Sequence, residues 1–344
     1  MRRKFVAILP AILAAVSYCG VAAAQELTTV RFVLDWKFEG QQAQFTAPVE
    51  DGTFKKMGLN VQIDRGQGSA DTVAKVASGA YDMGHADTYA MIRFNAANPN
   101  TPLISVAIVQ DASAVGIVAL RSKGIATPQD LIGKKLYSPA AEVGRQLFPI
   151  FALQNKIDGS QIQWNTVSPD LRDAMLARKE ADAVTSNTVT TIMNLGAVGI
   201  PESELQVFHY AKYGVPLYGT SLVTTRAFAE KNPEVVRNVI RGVAHGLNVM
   251  ISDPDKAMAS VKKRDPLLND DVEKRRMNRT MRDSLITENV LKNGFSSVDK
   301  ARLETTLKQT SPAFNIPVPA LDAVYTDKYL PPRADLKILP WKWQ

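Results

Sequence analysis

The chain has 344 residues and a formal net charge of +7 at pH 7. Arg2, Arg3 and Lys4 contribute three of these positive charges, and elsewhere acidic and basic residues are interleaved. The nearest approach to a basic patch is at 262–264 and 274–276, where no aromatic residues alternate with the charges. We therefore interpret both clusters as solvated helix faces and exclude nucleic acid as a partner.

The first 24 residues have the pattern of a secretory signal peptide. The three basic residues precede an apolar run from 5 to 16, and small residues follow, ending in Ala22-Ala23-Ala24. A retained membrane anchor is the alternative, but the apolar run is shorter than the roughly 20 residues that a spanning helix needs. We predict cleavage before Gln25 and export to the periplasm.

The chain has one cysteine, Cys19, which lies within this predicted signal peptide. The bulky Tyr18 precedes it where a lipoprotein needs a small residue, so we expect no lipidation. Residues 25–344 contain no cysteine, which excludes a disulfide framework, a thiolate metal site and a cysteine nucleophile in the exported chain. That chain is long enough for two lobes of ordinary domain size.

After residue 25, short apolar runs alternate with helical patterns, which predicts parallel βαβ units. The predicted strands are 30–34, 61–63, 81–84, 103–109, 115–120, 135–137, 163–167, 181–184 and 218–224. The predicted helices are 43–57, 70–78, 128–132, 143–155, 171–178, 233–251, 254–263, 270–293 and 298–309. The proline-rich end, 317–340, predicts an extended strap.

A short internal repeat suggests two similar lobes. Ser69 and Asp82 are 13 residues apart, as are Pro169 and Asp182, and in both cases a helix lies between them and a strand follows. The match is short enough that chance is an equal alternative.

Five stretches, taken in order and spacing, resemble one family of binding proteins. They are Leu34-Asp35-Trp36, Phe54-Lys55-Lys56-Met57-Gly58-Leu59-Asn60-Val61, Ser78-Gly79-Ala80-Tyr81-Asp82-Met83-Gly84, Asp130-Leu131-Ile132-Gly133-Lys134-Lys135-Leu136 and Ala181-Asp182-Ala183. From about residue 30 to 251 the chain resembles the periplasmic substrate-binding proteins of ABC importers in the nitrate, sulfonate, taurine and thiamine-pyrimidine uptake family.

The resemblance implies an α/β fold, the two-lobed periplasmic binding protein of type II. Each lobe would be a mainly parallel sheet flanked by helices, and two crossover strands would join the lobes. Lobe I would comprise 25–109 plus 218–344, and lobe II 110–217. The resemblance further implies a monomer without a cofactor, which closes on a small-molecule ligand by a hinge motion and delivers it to a membrane permease and its ATPase.

Ligands of open α/β sheets bind beyond the carboxyl ends of the strands. The corresponding loops here are 35–42, 66–71, 86–89, 138–145 and 186–190. The predicted ligand-binding residues are Asp35, Trp36, Gln41, Gly68, Ser69, Ala86, Asp87, Thr88, Glu142, Arg145, Asn187 and Tyr218. Trp36 is expected to stack on a planar ligand or else to belong to the core, and Ser69 contacts the ligand, caps a helix, or does both.

Charge and aromatic content restrict the ligand. The predicted mouth contains Asp35, Glu39, Asp87, Asp111 and Glu142, and carboxylates in a dry cleft repel small anions. Because aromatic residues lie nearby and the thiamine-pyrimidine branch also carries Leu-Asp-Trp at this place, we expect an amino-pyrimidine-like heteroaromatic. An alkylsulfonate, taurine or another organic anion is the alternative, because Arg145 could clamp an acid group.

Enzymatic activity finds little support in the sequence. His85, His209 and His245 are far apart without metal-ligand spacing, and no nucleophile elbow, phosphate loop or dinucleotide fingerprint occurs. The resembling family includes a pyrimidine synthase, but that enzyme carries a cysteine-rich loop. We therefore predict neither catalytic nor metal-binding residues, with a secreted pyrimidine-metabolism enzyme of the same fold and a ligand sensor as alternatives.

Overall fold

The computed structural model describes residues 26–342, so the predicted signal peptide and Cys19 lie outside the described residues. Ten strands form two five-stranded sheets. They are β1 (Thr28–Val33), β2 (Leu59–Asp64), β3 (Met83–Asp87), β4 (Leu103–Ile108), β5 (Val115–Leu120), β6 (Lys135–Ser138), β7 (Gln163–Thr166), β8 (Ala183–Asn187), β9 (Leu205–His209) and β10 (Thr220–Thr225).

The two sheets have the same topology. Their strand orders are β2-β1-β3-β10-β4 and β7-β6-β8-β5-β9. In the first sheet β10 runs antiparallel to both of its neighbours, and β5 does the same in the second. The remaining strands are parallel, as βαβ connections require. This is the two-lobed periplasmic binding protein fold of type II, and we call the lobe around the first sheet lobe I and the other lobe II.

The chain passes between the sheets twice, through 109–114 and 210–219. These two connections are hydrogen-bonded to each other, since Gly219 N donates to Gln110 O at 2.9 Å and Ser113 N donates to Leu217 O at 3.1 Å. Each leads directly into the antiparallel strand of the next sheet. The predicted lobe boundaries, after residues 109 and 217, fall within these connections.

Helices cover both faces of the sheets. They are α1 (Ala43–Glu50), α2 (Thr53–Lys56), α3 (Ser69–Ala77), α4 (Thr88–Ala97), α5 (Val143–Gln154), α6 (Arg172–Ala177), α7 (Thr188–Ala197), α8 (Arg226–Lys231), α9 (Pro233–Ser252), α10 (Pro254–Lys262), α11 (Asp270–Thr280), α12 (Glu288–Asn293), α13 (Lys300–Thr310) and α14 (Leu321–Val324). None of the described helices combines the length and apolar character that crossing a membrane requires.

Two long predicted helices are each divided in the structure. The helix expected over 43–57 is interrupted at Gly52, whose φ of 78° is left-handed, and continues as α2. The helix expected over 270–293 ends as α11, passes through a π-helical turn (Met281–Leu285) and begins again as α12. Thr287 accepts a hydrogen bond from Val290 N at this second start, as N-caps do.

Before the strap, three helices and a strand were missed from the sequence: α4, α7, α8 and β9. All three helices begin directly where a strand ends, without a separating loop that would mark them. The predicted strap of 317–340 is irregular, apart from α14 and a 3₁₀ turn (Arg333–Leu336). It contacts β4, an edge strand of the first sheet, through a bridge between Tyr325 and Ser105.

The internal repeat has a physical counterpart in the two lobes. Asp82 Oδ2 accepts a hydrogen bond from Arg31 N at 2.8 Å, and Asp182 Oδ2 accepts one from Lys135 N at 3.0 Å. Each aspartate, which lies just before β3 or β8, therefore binds the backbone of the neighbouring parallel strand. The two lobes are built on one plan, with equivalent positions about 100 residues apart.

Buried side chains of both lobes form the core. Phe32, Phe45 and Leu247 pack between the first sheet and its outer helices. A second cluster runs through both lobes and includes Tyr89 and Phe151. Because complete burial of one such side chain stabilises by roughly 1.5–3 kcal/mol, this continuous cluster holds the loop ends of the two sheets together.

Candidate functional site

A cavity of about 630 Å³, including its open mouth, lies between the lobes where the strands end. Eight of the predicted ligand-binding residues line it: Asp35, Trp36, Gln41, Gly68, Ser69, Asp87, Glu142 and Asn187. Nine further lining residues were not among those predicted: Gln42, Gln44, His85, Gln110, Val115, Val143, Arg172, Thr190 and Thr220.

Ala86 and Thr88 were predicted at the site, but they do not line the cavity. Side chains alternate along a strand, so His85 and Asp87 face the cavity while Ala86 faces the core and is fully buried. Thr88 begins α4, and its Oγ1 donates to Gly219 O in the second connection at 3.0 Å. Thr88 is therefore bound to the second interlobe connection and does not reach the cavity.

Arg145 and Tyr218 also lie elsewhere. Arg145 Nη1 donates to Thr166 Oγ1 at 2.8 Å, and its guanidinium lies 4.9 Å from the ring centroid of Trp164, within lobe II. Tyr218 is fully buried and lies under the guanidinium of Arg302 at 3.8 Å. The cation that does line the cavity is Arg172.

Some of the missed residues have a signal in the sequence. Gln42, Val143 and Thr190 lie in loops that were predicted to reach the site. Gln110 lies in the first interlobe connection and Thr220 begins β10 directly after the second, and their position at the cavity depends on how the lobes meet. No local pattern identifies residues of that second kind.

His85 holds a carboxylate in place at the cavity wall. Its Nδ1 is 3.1 Å from Asp35 Oδ1, and its Nε2 is 2.6 Å from Thr220 Oγ1. The imidazole also packs against Phe45, with ring centroids 4.6 Å apart. Both ring nitrogens are therefore engaged, and the histidine fixes the orientation of Asp35.

Asp87 presents one oxygen to the helix and the other to the cavity. Its Oδ1 accepts from Tyr89 N at 2.9 Å and Ala90 N at 3.1 Å, while its Oδ2 is buried without a hydrogen-bond partner among the described residues. Burial raises the pKa of this carboxyl to about 7, and the negative charges of Asp35 and Glu142 act in the same direction. The two backbone hydrogen bonds only partly oppose this increase.

Two glutamines on the lobe I side also present unpaired oxygens. Gln41 Nε2 donates to Glu39 Oε2 at 2.8 Å, and Gln44 Nε2 donates to Gln41 O at 3.3 Å. These two hydrogen bonds fix which end of each amide is the nitrogen. The Oε1 atoms of Gln41, Gln44 and Gln42 are all buried without a partner among the described residues. Trp36 Nε1 is a corresponding unpaired donor. Among the fully buried side-chain atoms of the described cavity residues, four acceptors and one donor are therefore without a partner.

Lobe II supplies the opposite wall. Glu142 Oε2 accepts from Arg145 N at 3.0 Å and from Thr185 Oγ1 at 2.8 Å, so it caps α5. Arg172 is 1% exposed, and its guanidinium lies 4.9 Å from the ring centroid of Trp36 in lobe I. It forms an ion pair with Asp173 at 2.8 Å. Although burial opposes it, this guanidinium keeps the pKa of Asp173 below its usual value.

The charge around the cavity is predominantly negative. Asp35, Asp87 and Glu142 contribute carboxyl groups, against one guanidinium that already has its own carboxylate. The described residues contain no group of three or more histidine, cysteine or acidic side chains placed to hold a metal ion. The arrangement is suited to binding a molecule rich in hydrogen-bond donors.

The fold and the interlobe cavity together define a ligand-binding protein of the periplasmic binding protein class. The family model described as NMT1/THI5-like matches residues 41–257, well over half of the chain. The chain belongs to this family.

Relatives within and beyond the family are similar along most of their length. The chain is 27% identical over 261 residues to the formylaminopyrimidine-binding protein of Halalkalibacterium halodurans, covering 74% of this chain and 77% of the relative. It is 26% identical over 255 residues to a 4-amino-5-hydroxymethyl-2-methylpyrimidine phosphate synthase of Saccharomyces cerevisiae, covering 71% and 73%. The alkanesulfonate-binding protein from Xanthomonas axonopodis pv. citri, solved bound to MOPS, has a TM-score of 0.65 at 15% identity, covering 87% and 97%.

Proposed function

We propose that this protein is the solute-binding component of an ABC importer, exported to the periplasm. It captures a small heteroaromatic molecule with exocyclic amino groups, of the amino-pyrimidine type, between its lobes. The observation that carries the proposal is the set of unpaired acceptor oxygens on Gln41, Gln44 and Asp87 in a cavity of negative character. A buried acceptor without a partner costs about 1–3 kcal/mol, and a ligand N–H group relieves that cost.

The carboxyl groups make an anionic ligand unfavourable. A sulfonate or taurine would enter beside Asp35, Asp87 and Glu142, and Arg172 is already neutralised by Asp173. An amino group or a protonated ring nitrogen gains from the same charges. The organic-anion alternative therefore has one cavity residue in its favour, Arg172, and three against it.

Trp36 provides a surface for a planar ring. The guanidinium of Arg172 occupies one face of the indole, so a ligand that leaves this pair intact stacks on the other face or meets the ring edge. Such contacts add roughly 0.5–1.5 kcal/mol beyond burial. The free Trp36 N–H also offers the ligand one donor, which suits an unprotonated ring nitrogen or a formyl oxygen.

Two relatives have names that support this ligand class. One is named as a binding protein and the other as an enzyme, so the choice between transport and catalysis rests on a further argument. The bacterial relative is named as a binding protein for formylaminopyrimidine, and the yeast relative as a synthase of a hydroxymethylpyrimidine phosphate. We place this chain with the binding proteins, because residues 25–344 lack the cysteine that the resembling synthase carries in its cysteine-rich loop. We further propose a periplasmic monomer that docks on a permease and its ATPase, as the resemblance to the substrate-binding proteins of ABC importers implies.

The mechanism follows from residues contributed by both lobes. A ligand that contacts Asp87 and Gln44 in lobe I together with Asn187 and Glu142 in lobe II stabilises the closed form over the open form. The paired segments 109–114 and 210–219 are the hinge of this motion. The closed surface is what the permease recognises.

A ligand screen by thermal unfolding tests the proposal. Purified protein is heated with formylaminopyrimidine, with 4-amino-5-hydroxymethyl-2-methylpyrimidine and with the 4-oxo analogue of the latter as the matched control. A true ligand at a hundredfold excess over its Kd stabilises by about 2.7 kcal/mol. We expect the amino compounds to bind at least tenfold more tightly than the oxo control, because the oxo group turns a donor into an acceptor.

The same screen includes taurine and alkanesulfonates. Stabilisation by these anions, without an effect of the pyrimidines, would overturn the proposed ligand class and favour the anion alternative. Conversion of a stabilising pyrimidine into a new product, followed by mass spectrometry, would favour an enzyme over a transport receptor.

A further inference from the structure

A buried arginine joins the two lobes outside the cavity. The basic run 274–276 was expected to be a solvated helix face, and for Arg276 this was wrong, because it is 2% exposed. It lies on α11 of lobe I and faces α7 of lobe II. Arg275, its neighbour, is exposed and donates to Asp271 O within its own helix.

The guanidinium of Arg276 divides its hydrogen bonds between the lobes. Toward lobe I, Nε and Nη2 donate to the two carboxylate oxygens of Glu273 at 2.8 Å and 2.9 Å. Toward lobe II, Nη1 donates to Thr190 O at 3.0 Å and Nη2 donates to Asn194 Oδ1 at 2.7 Å. The planar fork of arginine makes these four contacts at once, which the point charge of lysine does not.

The contacts continue to the cavity along two paths. Glu39 Oε2 lies 3.6 Å from Arg276 Nη1 and accepts from Gln41 Nε2 at 2.8 Å and Thr190 Oγ1 at 2.9 Å. Gln41 and Thr190 both line the cavity, one from each lobe. Glu39 therefore orients a residue on each cavity wall while it faces the buried guanidinium.

The second path runs through lobe II. Asn194, which accepts from Arg276, donates its Nδ2 to Asp173 Oδ2 at 2.6 Å. Asp173 in turn holds Arg172, whose guanidinium covers Trp36. The orientation of the aromatic wall of the cavity is thus linked to the same arginine.

The backbone of lobe I is shaped to allow this contact. Gly40 N donates to Glu273 Oε2 at 2.7 Å, and a Cβ at this position would lie 2.2 Å from Glu273 O. Only glycine lets the loop after β1 approach α11 so closely. The approach places Glu39 beside Arg276, where both are nearly excluded from water.

We propose that Arg276, Glu39 and Glu273 form an interlobe latch that stabilises the closed cleft and positions Gln41 and Thr190 in the ligand site. When the lobes separate, Arg276 keeps Glu273 but loses Thr190 O and Asn194. The latch therefore favours closure before any ligand binds. Because the charges of the latch are buried, its preference for the closed form is nearly independent of salt, whereas salt screens exposed ion pairs.

The test measures closure in the ligand-free protein, so its result does not depend on the ligand class proposed above. Residues 25–344 contain no cysteine, so nitroxide labels go to Gln62→Cys in lobe I and Arg178→Cys in lobe II, both exposed. Pulsed electron resonance then gives the distance distribution between the lobes. The variants are Arg276→Lys, Asn194→Ala and the control Arg275→Lys.

We expect a closed population in the unsubstituted protein. The ratio of closed to open protein should fall about tenfold in Arg276→Lys and about threefold in Asn194→Ala, and stay unchanged in Arg275→Lys. The differences should persist in 0.5 M salt, whereas a purely structural loss would lower the melting temperature without moving the distances. Distance distributions that coincide in all four proteins overturn the latch, and Asn194→Ala, which leaves every charge paired, decides the question if Arg276→Lys does not fold.

Discussion

In both lobes the equivalent strand, β3 or β8, ends in a residue that caps the following helix, but the capping side chains differ. Asp87 caps α4 in lobe I, and Asn187 caps α7 at the equivalent position of lobe II, 100 residues later. Both side-chain oxygens accept backbone hydrogen bonds, so the cap itself needs only a neutral acceptor. The cap therefore does not require the carboxylate of Asp87, whose second oxygen is buried at the cavity without a partner among the described residues.

A second pair of regions sharpens this comparison. An arginine lies over a tryptophan in two places, each at 4.9 Å. The pair of Arg172 and Trp36 spans the lobes and lines the cavity, whereas Arg145 and Trp164 belong to lobe II alone. Similar local chemistry thus lies at the interlobe cavity in one place and within lobe II in the other.

The largest expected effect concerns pH and the cap of α4. Burial raises the pKa of Asp87 to about 7 in the folded protein, from 3.8 in the unfolded chain. Between these values the folded state holds one more proton at Asp87, so the contribution of this group to stability falls by roughly 4 kcal/mol as the pH rises from 4 to 7. Asp87→Asn keeps the cap, as Asn187 does, and should lack this dependence. Urea unfolding across pH 4–8 measures it, and parallel curves for both proteins would contradict the expectation.

Ligand affinity is the next test of the difference between the acidic residue at the cavity in lobe I and its surroundings in lobe II. Asp87→Asn should weaken binding of an amino-pyrimidine about 30-fold, because a charge-assisted hydrogen bond to the ligand becomes a weaker one. Glu142→Gln should weaken it less, since Glu142 Oε2 is already engaged by Thr185 and a backbone N–H. Calorimetry compares the two. A larger effect at Glu142 would place the main ligand contact in lobe II.

The two tryptophans give a matched pair. Trp36→Ala should weaken an aromatic ligand more than tenfold, through lost burial and ring contact. Trp164→Ala removes an equivalent cation–π pair away from the cavity and should leave affinity within twofold. Equal losses in both variants, measured by the same calorimetric titration, would show that Trp36 acts through stability and not through contact with the ligand.

The smallest effect belongs to the exposed ion pairs at the cleft mouth. Asp170, which is 62% exposed, faces Lys37 at 3.2 Å and Arg65 at 3.5 Å across the lobes. Such pairs contribute about 0.2–1 kcal/mol, so Asp170→Asn should lower the closed fraction about twofold at low salt and have no effect at 0.5 M. Pulsed electron resonance on the labelled protein measures it. A large change that persisted at 0.5 M salt would show that the ion pairs of Asp170, and not Arg276, stabilise the closed form.

Most of the fold follows from local patterns in the sequence. The apolar runs that became β1, β5 and β6 are recognised from neighbours in the chain, and the aspartates at 82 and 182 from their equal spacing in the internal repeat. The interruption of the predicted helix 43–57 at Gly52 was missed, because a single glycine is compatible with a continuous helix or with a broken one, and packing decides between them. The sequence pattern is least informative where structure depends on contacts between lobes.

The candidate site shows the same division. Asp35, Trp36 and Asp87 follow strand ends and were predicted from position alone. Arg172 and Arg276 are charged residues on helices whose pattern indicates solvent exposure, yet both are buried because the other lobe covers them. A hydrophilic residue that is buried at an interface between lobes has no signature in the periodicity of its own helix.

The position of β10 has a consequence for how the molecule is made. This strand lies between β3 and β4 in the first sheet, but more than 110 residues separate β4 from β10 in the chain. During synthesis or passage through a membrane pore, the N-terminal segment emerges with a gap in the middle of its sheet. Lobe II is continuous and can fold first, and the earlier half stays incomplete until the returning strand fills the gap.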